Sequence, residues 1–312
     1  MKRSLEIDYL KGVLILLVIS FHLVWFEQLH PFAKQVVYTF HMPGFLLISG
    51  YLMNIGKEPR DFLRTLLWLA IPYIIMESGY IVMASLLPIG EHIDHLTPRV
   101  FLDRLLLHPL GPYWYLHALI LCGAGYYLVF RFMQRGLLLK LFTAGLVYYI
   151  LARAFGILSF SSALYFLAGA AIRQSGKDFV NFFRSRMLSV IFFVLLVYFS
   201  VNPNQASLSG ALIAYTAISS LLWLYTKTPP KGSWGACFLG RNSLVLYVFS
   251  PIFTVLCKQF VPYLQFDSTG LIFLLVSLVF CVGGSLAIAW GMDLTGISRF
   301  FFGRKAFIVQ SS

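Results

Sequence analysis

The sequence predicts an all-α polytopic membrane protein, a bundle of about ten transmembrane helices with both termini in the cytoplasm. Three observations predict it. Of 312 residues, 59% are hydrophobic and 12% are charged, about half the charged share of a soluble domain. The apolar residues gather in runs of membrane-spanning length, about 20 residues each. The basic residues crowd into alternate connecting segments. Ten spans use roughly 200 residues, so residues 1–312 read as a single integral-membrane domain with no separate soluble domain. This composition excludes a disordered chain, a secreted disulfide scaffold and an ordinary cytosolic enzyme.

The first run, 9–27, follows MKRSLEIDYLKG. Its acidic residues, and the lack of a small-residue cleavage site, mark a retained helix and not a signal peptide. The second run, 36–56, contains FHMPGFLLISGYL. Pro43 removes a backbone donor there, and Gly44 and Gly50 allow close approach or a kink. Membrane helices tolerate such breaks where they line a cavity. The third run, 65–87, carries Glu77 near its middle. A carboxylate at that depth is costly, so it is protonated or faces a polar partner; a functional and a purely structural role stand equal. The remaining runs are 112–130, 141–157, 159–173, 187–202, 208–226, 242–262 and 269–294. No internal repeat is evident.

With the N-terminus inside, the cytoplasmic segments hold Lys2, Arg3 and Lys11, then Lys57, Arg60 and Arg64, then Arg131, Arg135 and Lys140. They go on to hold Arg173, Lys177, Arg184 and Arg186, then Lys227, Lys231 and Arg241, and finally Arg299, Arg304 and Lys305. That is 19 of the 24 basic residues, the bias that sets orientation in a bilayer. It also accounts for the net charge of +12 with lipid, and not nucleic acid, as the partner. Cys122, Cys237, Cys257 and Cys281 are widely spaced and form no CxxC, so neither a disulfide framework nor a zinc site is indicated. The longest outer loop, 88–111, carries Glu91, His92, Asp94, His95, Asp103 and His108. A polar surface loop and a metal site both fit that composition. The spacing matches no metal-ligand motif, which favours the polar loop, with part of it an interfacial helix.

All seven histidines fall in the first 117 residues. His22, His41 and His117 lie in predicted helices at similar depth in the outer half of the membrane, level with Trp114 and Tyr115. Three at one depth point to a polar cavity open to the outside. On the first helix, Lys11 and His22 are about 1100° apart, within about 20° of whole turns, and about 16 Å apart along the axis. Asp8 falls within roughly 40° of the same face. Histidine in a bundle interior suits proton transfer near neutral pH. The cluster Lys57, Arg60 and Arg64 reads as ordinary positive-inside charge or as an anion site for a phosphate-bearing donor.

Four stretches resemble the acyltransferase family 3 membrane proteins, within them the short fucose 4-O-acetylase-like branch. They are RSLEIDYLKGVLILLVISFH, FHMPGFLLISGYL, PYWYLHALI and LGRNSLVLYVFSP, in family order from residue 3 to residue 251. Three departures stand out. Lys11 occupies a position that is often arginine in the family, Arg60 and Arg64 are four apart and not three, and Ser250 replaces a frequent histidine. The resemblance implies O-acyl transfer, usually acetyl, from cytoplasmic acyl-CoA to a sugar or glycan hydroxyl on the outer side of the cell membrane. Acetyl-CoA would be a donor substrate, with no tightly bound cofactor and no metal. His22 would be the general base. Lys11, Arg60 and Arg64 would hold the donor phosphates, and His41, Trp114, Tyr115, His117 and Glu77 would shape the acceptor pocket. A transporter or flippase for a glycan or small metabolite is the competing reading. A non-catalytic scaffold would leave Lys11, His22 and the FHMP helix without a purpose.

Overall fold

The computed structural model describes residues 4–87, 91–200 and 203–308. Lys2 and Arg3, residues 88–90 of the outer loop and residues 201–202 of the seventh run lie outside the described residues. Every described element is helical, and no strand occurs among the described residues. The α-helices are α1 (Leu5–Ser20), α2 (Val24–Leu29), α3 (Pro31–Leu52), α4 (Pro59–Leu86), α5 (Pro98–Leu106), α6 (Trp114–Phe132), α7 (Leu137–Arg153) and α8 (Phe160–Gln174). They continue with α9 (Phe179–Phe182), α10 (Met187–Phe199), α11 (Leu208–Lys227), α12 (Pro230–Arg241), α13 (Ser243–Leu256), α14 (Val261–Leu264), α15 (Leu271–Thr295) and α16 (Ser298–Phe301). Short 3₁₀ turns at Gly111–Tyr113 and Cys257–Phe260 lead into α6 and α14.

Each of the ten apolar runs falls on a helix. Among the described residues, five stretches are long and apolar enough to cross a membrane: Pro59–Leu86, Gly111–Phe132, Leu208–Lys227, Ser243–Leu264 and Leu271–Leu294. Helices α1, α7, α8 and α10 have 16, 17, 15 and 13 residues. They are therefore roughly 20–26 Å long, short of an approximately 30 Å hydrocarbon core. The apolar outer faces suit lipid; α10 buries none of its residues fully.

One run and one connecting segment differ from their sequence expectation. The first is not one helix over 9–27. It ends at Ser20, turns through 21–23 and resumes as the short α2. No proline or glycine causes this. The Ser20 hydroxyl donates to the Leu16 carbonyl at 2.8 Å, and a His22 ring nitrogen meets the Val18 carbonyl at 2.6 Å. Side chains thus take up carbonyls of the last turn in the way that bends or ends helices. The second difference is α12. Residues 230–241 fall between the eighth and ninth apolar runs, yet they form a helix. The glycines explain its placement. A Cβ on Gly12 would lie 1.9 Å from the Ala236 carbonyl oxygen, and one on Gly240 would lie 1.7 Å from that of Asp8. The backbones of α1 and α12 touch, and only glycine fits at either point.

The chain forms two compact units. One comprises the described residues of Met1–Phe45, Lys177–Arg299 and Arg304–Ser312, the other those of Leu46–Gly176 and Phe300–Gly303. In the first, α1 is central and packs against α11, α12, α13 and α15. Leu10, Leu14, Ile15 and Ile19 of α1 are completely buried. In the second, α6 packs against α4, α7 and α8. Its core holds the large side chains Tyr126, Tyr148 and Phe166. The Tyr148 hydroxyl donates to the Cys122 carbonyl at 2.7 Å, which satisfies a buried polar group. The loop helix α5 is capped by the Thr97 hydroxyl, which accepts the Val100 N–H at 3.2 Å, so part of the loop 88–111 is helical.

Candidate functional site

In the first unit, His22 sits in the break between α1 and α2. Its Nδ1 is 2.6 Å from the Val18 carbonyl oxygen. A carbonyl only accepts, so Nδ1 carries the proton and Nε2 of the neutral ring carries the lone pair. The backbone N–H of His22 donates to Ile19 O at 3.1 Å and that of Leu23 to Ser20 O at 3.3 Å. These are i→i−3 bonds, a tighter winding than the α-helix. The expected single face of Asp8, Lys11 and His22 is therefore corrected. Asp8 and Lys11 share α1, but the wheel that carried on to His22 presumed an unbroken helix.

His41 repeats the arrangement on α3. Its Nδ1 lies 2.7 Å from the Val37 carbonyl oxygen, which again leaves the lone pair on Nε2. Tyr38 stands between the two histidines. Its ring centroid is 4.9 Å from that of His41 and 6.3 Å from that of His22. Its hydroxyl donates to the Phe21 carbonyl at 3.0 Å, inside the break. Lys34 Nζ lies 5.4 Å over the Tyr38 ring and pairs with Glu27 at 2.9 Å. Two imidazoles with matching tautomers, the Tyr38 ring near both and the Lys34–Glu27 ion pair beside it form one polar cluster. Tyr38 was missed in the sequence, although its i, i+3 spacing from His41 puts both on one face.

At the start of α1, Lys11 Nζ is 3.1 Å from Asp8 Oδ1, and Arg241 Nε is 3.6 Å from Asp8 Oδ2. Asp8 is only 4% exposed, so its charge needs these partners. One carboxylate facing two cations leaves a net positive group. Arg241, at the C-terminal end of α12, was counted in the sequence only as cytoplasmic charge. Its pairing with Asp8 follows from the glycine contact between α12 and α1.

The second unit holds the other expected residues. The Tyr115 and Ser49 hydroxyls are 2.6 Å apart, and the Trp114 and Tyr115 rings meet edge to face at 6.4 Å. Glu77 is fully buried and accepts the Leu110 N–H on Oε1 at 2.6 Å; its Oε2 has no hydrogen-bond partner. His117 Nε2 lies 2.9 Å from the Leu106 carbonyl oxygen, and the Tyr73 hydroxyl donates to Leu105 O at 2.6 Å. Glu77, His117 and Tyr73 therefore hold the backbone of 105–110. Arg60 and Arg64 lie in the first two turns of α4, exposed and one turn apart. In the loop 88–111, His108 Nδ1 pairs with Asp103 at 3.0 Å and Glu91 accepts the Gly111 N–H at 2.5 Å. No cluster of three or more metal-ligating side chains occurs among the described residues.

No curated protein and no solved structure matches the chain. A family comparison does. The acyltransferase domain family covers residues 4–290, which takes in α1, the histidine-bearing break, α12 and most of α15. With apolar helices of spanning length and a family match over nearly its whole length, the chain belongs to the acyltransferase domain family and is a membrane acyltransferase.

Proposed function

We propose that this protein is an O-acyltransferase, and most simply an O-acetyltransferase, of the cell membrane. It would take the acyl group from cytoplasmic acyl-CoA and give it to a hydroxyl of a sugar or glycan at the outer face. The four motif stretches place it in the fucose 4-O-acetylase-like branch on this reading. On this reading the ten apolar runs cross the bilayer as one membrane domain, the shorter helices where the bilayer thins locally, with both termini in the cytoplasm.

The observation that carries the mechanism is the Nδ1–H of His22 held on the Val18 carbonyl at 2.6 Å. It fixes the tautomer whose Nε2 can accept a proton. The acceptor hydroxyl gives its proton to Nε2 as its oxygen attacks the thioester carbonyl. The C–S bond then breaks, and the imidazolium returns the proton to the departing CoA sulfur. Lys11, Arg60 and Arg64 serve the phosphates of the donor. The faces of Trp114 and Tyr115 suit a sugar ring, and His41 supplies a hydrogen bond to its hydroxyls. Glu77 and His117 act on the acceptor through the 105–110 backbone they hold.

The test measures acyl transfer and acetyl-CoA binding on the same purified His22→Ala protein. Turnover should fall about 10²–10⁴-fold with donor affinity retained. Turnover near that of the wild type would sink the mechanism. Acetyl transfer to a glycan acceptor without its movement across a vesicle membrane separates this enzyme from a flippase.

A further inference from the structure

The first unit has a second polar site, remote in sequence from the histidines. The segment joining α8 to α10 folds against α11 and encloses an open cavity of about 520 Å³. It is lined by Lys177, Asp178, Asn181, Phe182, Arg184 and Tyr215. That volume lies within the about 300–1,000 Å³ range of small-molecule sites.

The cavity wall is rigidly made. The Tyr215 hydroxyl donates to the Phe182 carbonyl at 3.1 Å, and the Ser219 hydroxyl donates to the Phe183 carbonyl. Phe183 is buried, 1% exposed, with its ring 5.2 Å from that of Tyr215. Two successive carbonyls are thus pinned by α11. The next residue, Arg184, takes φ of 43°, the one positive φ at a non-glycine among the described residues. A conformation this unfavourable persists when its surroundings over-determine it, and such residues gather at ligand sites. Here it turns the chain so that Arg184 and Lys177 line one cavity. Neither cation takes part in an ion pair among the described residues. Asp178 is engaged differently, accepting the Asn181 N–H at 3.1 Å. Phe182 remains 37% exposed with its ring edge-on to Tyr215.

We propose that this cavity binds a phosphorylated nucleoside, the adenosine end of the acyl-CoA donor. The inference rests on the donor proposed above and assigns it a second anchoring point. The exposed Phe182 ring stacks on the base. Arg184 and Lys177 hold the ribose phosphate, guanidinium to phosphate in fork geometry. Asn181 and Asp178 offer hydrogen bonds to the base edge and a ribose hydroxyl. The charge alternation along the chain puts this segment on the cytoplasmic side, where acyl-CoA is found. CoA carries phosphate in two places, so the cations assigned to the donor above can serve the diphosphate while this cavity holds the ribose phosphate.

The experiment uses the full chain in nanodiscs and measures binding of acetyl-CoA, of 3′-dephospho acetyl-CoA and of adenosine 3′,5′-bisphosphate. The variants are Arg184→Gly, which suits the positive φ and so preserves the turn, Lys177→Ala and Phe182→Ala. Each charge variant should weaken acetyl-CoA about tenfold or more, the scale of one charge-assisted bond, and leave the dephospho compound nearly unchanged. Phe182→Ala should weaken both. The bisphosphate alone should bind the wild type and not Arg184→Gly. Wild-type binding of acetyl-CoA with unchanged affinity in all three variants overturns the cavity assignment and leaves the donor reading intact. A wild type that binds the bisphosphate but transfers no acetyl group from acetyl-CoA overturns the donor reading and leaves a nucleotide site. Retention of phosphatidylglycerol that falls in the charge variants, with nucleotide binding unchanged, overturns the proposal in favour of a lipid phosphate.

Discussion

The candidate ionisable side chains of the two units are bonded differently. In the first, His22 and His41 each bond the carbonyl four residues back on their own chain. Such a bond orients the ring without enlisting another element, and the second nitrogen keeps its lone pair. In the second, Glu77 and His117 reach across to Leu110 and Leu106, so their polar atoms hold a loop. Side chains named together in the sequence thus differ in reach: His22 and His41 bond a carbonyl one turn back, and Glu77 and His117 bond a separate segment.

The sharpest way to break that comparison is to remove one histidine from each unit. His22→Ala should lower turnover about 10²–10⁴-fold, with a loss of stability no larger than the about 0.5–1.5 kcal/mol of its one bond to the Val18 carbonyl. His117→Ala removes a bond to the Leu106 carbonyl, worth about 0.5–1.5 kcal/mol. It should lower the melting temperature and change turnover by less than about tenfold. Turnover and thermal unfolding of both proteins in one detergent decide it. Equal losses of turnover would erase the distinction between the units.

Much of this was legible in sequence, for reasons that also mark its limits. Long apolar runs announce helices because lipid leaves backbone no other partner, and over the described residues each run coincides with one or more helices, the first of them broken at 21–23. The break at His22 was illegible. Its cause is side-chain bonding by Ser20 and His22 inside an otherwise apolar run, with no glycine or proline to signal it. The helix α12 lay outside the apolar runs, and the purpose of Gly240 is visible only against α1. Arg241 stayed unassigned for the same reason, since nothing local ties it to Asp8. His117 read as a ligand group because depth was visible and its partner, the Leu106 carbonyl, was not.

The α1–α12 contact gives the next largest effect. Gly240→Ala places a Cβ where the Asp8 carbonyl oxygen stands, 1.7 Å away. The helices must separate, at a cost of about 1–3 kcal/mol for overpacking. Arg241 adjoins Gly240, so it should also leave Asp8, and acetyl-CoA affinity should fall along with stability. The control is Gly235→Ala, where a Cβ meets nothing within 4 Å and neither quantity should change. Wild-type stability for Gly240→Ala would mean that the helices are not in backbone contact.

In the second unit, Glu77 separates a fastening role from a charged one. Glu77→Gln keeps an oxygen to accept the Leu110 N–H and should be nearly neutral in stability. Glu77→Ala leaves that buried N–H without a partner, at about 1–3 kcal/mol. Thermal unfolding of the pair measures the difference. If Glu77→Gln instead abolishes turnover at wild-type stability, the carboxyl group has a direct part in the reaction and the contrast between the units is weaker.

The smallest expected effect lies in the loop before α15. Asp267 accepts the Ile272 N–H at 2.9 Å, the Thr269 hydroxyl at 2.6 Å and the Thr269 N–H at 2.9 Å. These bonds, the Ile272 N–H foremost, favour the carboxylate and hold its pKa below the ordinary value of 3.8. A pKa lowered on folding stabilises the native state above the unfolded pKa, and that contribution is lost as pH falls through the folded value. The side chain is exposed, so water screens the effect and the shift should be the smallest of the set. Asp267→Asn should therefore melt slightly below the wild type, by a margin that stays constant from pH 7 to about pH 5. The margin should narrow only below the ordinary carboxylate range. Melting curves of both proteins across that span check it. A margin that closes between pH 7 and 5 would mean that a group other than Asp267 carries the pH dependence of this loop.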